Sequence, residues 1–118
     1  MSYSEEIVQI VWEKAKVIDA NDSKMWRKDE CGAWIQRMMY GDRNSQYGWE
    51  IDHIDPHGPD DNTNLCALQW HNSIGKSDGR LICRVRSCGI DNVAIDHQTQ
   101  SREAIENIAG QVGLDRKQ

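Results

Sequence analysis

From Ser2 to about Val17 apolar side chains recur with helical spacing. Ile7, Ile10, Val11 and Ala15 share one face, Ser4 stands where an N-cap belongs, and Glu5 and Glu6 suit the positive end of a helix dipole. This predicts an amphipathic helix that ends near Asp19-Ala-Asn-Asp. Between Lys24 and Asp42, Trp34, Ile35, Met38 and Met39 fit a helical stripe, while Gly32 and Gly41 punctuate something shorter, so a helix or mixed segment is expected there. From Trp49 to Ile54 the pattern changes to strict alternation of apolar and polar residues, as in a half-buried strand ended by Pro56. Asp55 to Asn64 is turn chemistry throughout. Leu65 to Trp70 then predicts a second strand, and HNSIGKSDG a short helix ended by Gly79.

Downstream, RLICRVRS and NVAID joined through Cys88-Gly-Ile-Asp predict a hairpin. Ser101 opens a terminal helix with Ile105, Ile108, Ala109 and Val112 on one face. With no internal repeat and no long linker, the 118 residues are expected to form a single α+β domain: a strand, loop, strand, helix core over 48–79 and an extension over 80–118. No apolar run approaches the roughly 20 residues that span a bilayer, and the first residues are acidic where a signal peptide is basic. A soluble, cytoplasmic protein without a membrane partner is the expectation.

The four cysteines, Cys31, Cys66, Cys83 and Cys88, contain no C-x2-C pair, so a structural zinc site is not expected. A cytoplasmic chain of this size has no need of disulfides, and all four are expected to be core thiols. Five Trp and no Phe supply the bulk of the core. Trp49 and Trp70 are expected to pack across the two motif strands rather than to stack on bases.

Chemistry concentrates in WEIDHIDP and NTNLCALQWHNSIGK. Asp52 offers hard oxygen ligands for a divalent cation and His53 an imidazole able to accept a proton near neutrality, a pair suited to metal-assisted attack by water. Adjacent side chains on a regular strand face opposite ways, so one site needs the strand to bend or stop there. Glu50 shares the strand face of Asp52 and is either a supporting carboxylate or an edge charge. His57 lies in a turn, and His97 has no motif around it.

YGWEIDHIDP, followed by Asn64-Leu65 eleven residues after His53 and by LQW with Asn72 and Lys76, resembles the HNH endonuclease family. The upstream WRKDECGAWIQRMMYGDRNSQ is similar to the lead-in of small bacterial and phage members. The resemblance spans roughly Trp26 to Asp78, and it implies a ββα-metal core that hydrolyses phosphodiester bonds with Mg2+ or Mn2+. It implies Asp52 as metal ligand, His53 as the general base and Asn64 as the residue that orients the site.

The third motif position departs from the family, which carries Asn or His three residues before the helix lysine. Here it is Ser73. Either Ser73 is a hydroxyl ligand, or Asn72 or His71 reaches the metal from a rearranged first turn, or metal affinity has been lost. Asn72 stands one position early, a rotation of about 100° around a helix.

The net charge of -5 argues against a protein that coats nucleic acid, yet it is unevenly spread. Residues 49–62 hold Glu50, Asp52, Asp55, Asp60 and Asp61 with no Lys or Arg, whereas 71–88 hold Lys76, Arg80, Arg84 and Arg86 against Asp78. The acidic stretch suits a divalent cation and the basic one a phosphate track, so DNA is the expected partner, bound weakly and with strong salt dependence. A catalytically silent nucleic-acid-binding protein and an RNase or toxin on the same scaffold are the alternatives.

Overall fold

In the computed structural model, residues 3–76 and 79–95 are described. The predicted terminal helix and His97 lie outside them. Helix α1 (Glu5–Trp12) begins at Ser4, whose side chain accepts from the Ile7 amide. It buries Val8, Val11 and Trp12, an i, i+3, i+4 face one step round from the predicted one, and it ends five residues sooner than expected. The reason is Arg27. Its Nη1 donates to the carbonyls of Glu13 and Ala15 at 3.0 and 3.1 Å, capping the helix end and leaving Lys16–Val17 free to form strand β1.

Of the two forms expected at 24–42, a helix or a mixed segment, the structure has the mixed one: strands β2 (Trp26–Lys28) and β3 (Trp34–Gln36), then a 3-10 turn, Arg37–Met39. Antiparallel pairing gives the order β1-β2-β3. The turn between β2 and β3 overrides the helical spacing. Asp29 Oδ1 accepts from the amides of Cys31 and Ala33, and Gly32 takes φ 84°, a left-handed conformation that breaks a helix. Met38, on the supposed stripe, is 72% exposed.

Strands β4 (Trp49–His53) and β5 (Leu65–Gln69) form an antiparallel pair in the predicted places, joined by a loop that closes with a 3-10 turn at Asn62–Asn64. Gly48, just before β4, must be glycine, because a Cβ there would lie 1.8 Å from the Asp42 carbonyl oxygen. Helix α2 (Trp70–Ile74) follows directly, capped by the Gln69 side chain, and it stops at Gly75 rather than Gly79. A Cβ at Gly75 would meet Arg84 Cγ at 2.7 Å and the Ile82 carbonyl at 2.9 Å, so the chain after α2 returns too closely for any other residue. The predicted hairpin is present as β6 (Val85–Cys88) and β7 (Asp91–Ala94).

The chain is thus α+β, with two helices and three antiparallel sheets among the described residues. Its core joins α1 to one face of β4 and β5: Val8, Val11, Trp12, Ile35, Trp49, Leu65 and Ala67. Trp49 sits within 5.4 Å of Trp12 and 5.0 Å of Tyr40, ring centre to ring centre, so its role is packing. Trp70 is half-buried and stacks on His71.

The cysteines do not behave as four core thiols. Cys31 and Cys83, 52 residues apart, form a disulfide whose Cα atoms are 5.6 Å apart, and Cys88 is exposed. Only Cys66 is a half-buried thiol, pushed up to about 11, mainly by burial. The missing C-x2-C spacing carried no information about a bond between elements brought together only by folding. No helix among the described residues is long and apolar enough to cross a membrane.

Candidate functional site

The period of two in β4 and β5 sorts the side chains. Trp49 and Ile51 join Leu65 and Ala67 in the core, while the cross-strand pairs Glu50 with Leu68 and Asp52 with Cys66 occupy the other face, the one that α2 covers. Asp52 therefore points at α2. Its Oδ2 accepts from Ser73 Oγ at 3.2 Å, and its Oδ1 accepts from the His53 amide at 2.8 Å. β4 neither bends nor stops between the two residues: His53 stays in the ladder, opposite Leu65.

His53 is half-exposed, and its Nε2 lies 2.9 Å from Asp60 Oδ1. Because Asp60 is a carboxylate that only accepts, the proton of a neutral His53 belongs on Nε2 and its Nδ1 carries the lone pair. The loop that presents Asp60 is braced by Asn64, itself 7% exposed. Asn64 Oδ1 accepts from the Asp55 amide, and its Nδ2 donates to the carbonyls of Asp55 and Pro59 at 2.8 and 2.9 Å. The neighbouring Asp61 carboxyl is held below its usual range by its hydrogen bonds with Thr63.

Lys76 is not the outward phosphate contact expected from its place in the helix motif. Its side chain is 15% exposed and turned inward, with Nζ 3.5 Å from Asp52 Oδ1 and bonded to the His53 carbonyl. Arg80, Arg84 and Arg86 are exposed. Glu50 pairs with Arg43 at 2.6 Å, and His57 is exposed in the loop.

Asn72, expected as a substitute metal ligand, has no atom left for a cation. It is fully buried, its Oδ1 accepts from the amides of Arg84 and Val85, and its Nδ2 donates to Asp29 Oδ2 and the Val85 carbonyl. Both lone pairs and both hydrogens are committed. His71 is likewise engaged elsewhere: its ring stacks on Trp70 and its Nδ1 accepts from Gln69 Nε2, while burial lowers its basicity. Of the three candidates at the third motif position, Ser73 alone meets Asp52.

The residue that sequence reasoning missed is Asp29. It is 2% exposed, and its carboxylate gathers the amides of Cys31, Ala33 and Gln69 and the amide group of Asn72, so it ties the β2–β3 turn to the start of α2. Burial raises its pKa against the pull of these donors. Its only sequence signal was an Asp two residues before a Cys and three before a Gly, which also describes an ordinary turn.

Among the described residues no group of three or more His, Cys, Asp or Glu could hold a metal ion. Compared with family models, curated proteins and solved structures, the chain matches none.

Proposed function

We propose that this chain is a divalent-metal-dependent endonuclease of HNH type, with strands β4 and β5 and helix α2 as a ββα-metal core and DNA as substrate. The observation that carries the reading is the meeting of Asp52 with Ser73 across 3.2 Å. It unites the first and third motif positions, which lie 21 residues apart.

The donor set fits a hard cation held in part by its substrate. Neighbouring oxygens around Mg2+, each about 2.1 Å from the ion, lie about 3 Å apart, close to the bite of Asp52 and Ser73. One carboxylate and one hydroxyl suffice where water and a substrate phosphate complete the shell. A bound Mg2+ or Mn2+ would stabilise the charge that grows on the phosphate in the transition state. His53 Nδ1 accepts the proton of the attacking water, Asp60 holds the ring in the matching tautomer, and Asn64 keeps the Asp60 loop in place. Arg80, Arg84 and Arg86 offer phosphate contacts beyond the site.

A second reading, a silent nucleic-acid-binding protein on the same scaffold, is favoured by Lys76, whose ammonium already neutralises Asp52. A plasmid-nicking assay separates the two. Nicking that requires Mg2+ or Mn2+, stops in EDTA and is abolished in His53→Ala supports the nuclease; no nicking at any metal concentration supports the silent protein.

A further inference from the structure

On the far side of β3 from the core, Trp26, Trp34 and Tyr47 surround an open cleft of about 300 Å3, with Asn21 and Ile90 at its edge. The rings stand on edge to one another: Trp26 and Tyr47 are 4.9 Å apart at 90°, Trp26 and Trp34 6.1 Å apart at 83°. They are also fixed in place. Trp34 Nε1 donates to the Gly89 carbonyl at 2.8 Å, Tyr47 Oη donates to the Ile90 carbonyl at 2.6 Å, and Asn92 grips the Trp34 backbone on both its amide and its carbonyl. With the polar atoms of Trp34 and Tyr47 spent on the β6–β7 turn, these two rings offer an occupant their π faces and edges.

None of the three rings belongs to the main core; Trp34 and Tyr47 fasten the β6–β7 hairpin to the sheet and leave the cleft between them open. Ile90, 79% exposed at the tip of the hairpin, adds an apolar lip to the cleft. The cleft is of the size at which small-ligand sites begin, roughly 300 Å3.

Charge decides between the two ligands that aromatic walls favour, a quaternary ammonium and a flat base. Lys28 Nζ lies 4.6 Å from the centre of the Trp34 ring, so a cation stands beside the cleft, outside its lining. That cation repels a second one and attracts a phosphate. We propose that the cleft is a subsite for an unpaired nucleobase, stacked on these rings with its phosphate toward Lys28 and its edge within reach of the exposed Asn21. This inference rests on nucleic acid as the partner in the proposed function, and it is independent of the cleavage chemistry.

The test is fluorescence anisotropy of a short dye-labelled thymidine oligonucleotide in EDTA at low salt, with wild type, Trp34→Leu and Ile90→Asp. Each substitution should weaken binding roughly tenfold or more. Thymidine monophosphate should compete, and the exposed Ile90→Asp should leave the melting temperature unchanged. Undiminished affinity in Ile90→Asp overturns the subsite, as does competition by tetramethylammonium but not by the nucleotide. Oligonucleotide binding that depends on Ile90 in a protein that never nicks defeats the nuclease reading alone. Metal-dependent nicking with affinity indifferent to both substitutions defeats the subsite alone.

Discussion

Asn72 Nδ2 donates to Asp29 Oδ2 across 3.0 Å, and neither side chain is more than 2% exposed. This contact fastens α2 to the β2–β3 turn and so sets where Ser73 stands relative to Asp52. Asn72→Ala strands the Asp29 carboxylate and the amides of Arg84 and Val85 in the interior. A loss of about 3 kcal/mol in urea denaturation is expected, with the midpoint falling and the slope unchanged.

The same pair predicts a pH dependence. Burial lets the folded chain keep the Asp29 proton above the ordinary value of 3.8, where the unfolded chain has released it. Asp29 therefore contributes most to stability below that value, and the contribution declines as pH rises through the raised folded pKa. The destabilisation caused by Asp29→Asn should be greatest at acid pH and shrink as pH climbs above about 4. A cost that instead grows over that interval would mean that the four donors outweigh burial.

If Asp52 holds a divalent cation as proposed, Lys76 competes with it for that carboxylate. Lys76→Met should raise the gain in melting temperature produced by Mn2+, and Asp52→Ala should erase that gain. Ser73→Asn, which places beside Asp52 the residue that HNH endonucleases carry at this position, should on the proposed nuclease reading increase the nicking rate about tenfold or more. Equal Mn2+ stabilisation in wild type and Asp52→Ala would remove the metal site.

Reduction of the Cys31–Cys83 bond releases a 52-residue constraint, worth up to about 4 kcal/mol on chain-entropy grounds. Melting with and without a reductant should show the loss in wild type, and none in a Cys31→Ser, Cys83→Ser double variant. Iodoacetamide at neutral pH should modify the exposed Cys88 well before Cys66, which is held as a thiol by burial.

If Arg80, Arg84 and Arg86 track the phosphate backbone, each substitution by Gln should lower the salt slope of DNA binding by about 1. Filter binding between low and moderate salt measures it. An unaltered slope in the triple variant would move the nucleic-acid contact elsewhere on the surface.

Local pattern was a sound guide wherever one periodicity acted alone. The alternation from Trp49 to His53, the turn residues 55–64 and the Ser4 cap all specify local structure through neighbouring residues, and β4, β5 and α1 begin where the pattern put them. It misled where a distant partner outweighed the neighbours. Arg27 ended α1, the Asp29 turn converted a helical stripe into β2 and β3, and the return of Ile82 and Arg84 cut α2 at Gly75.

The residues of the candidate site follow the same division. That Asp52 and His53 are adjacent, with Asn64, Ser73 and Lys76 at set intervals behind them, was legible along the chain. Which of them meet was not, because spacing carries no direction. Only the packing of α2 on the outer face of β4 and β5 turned Ser73 toward Asp52, drew Lys76 inward onto the same carboxylate, and closed Asn72 around Asp29 and the Val85 backbone, where every hydrogen-bonding atom it has is used. Composition and order decided what chemistry the chain has to offer; tertiary burial, which makes an unpaired polar group too costly to leave, decided which side chains remain free to perform it.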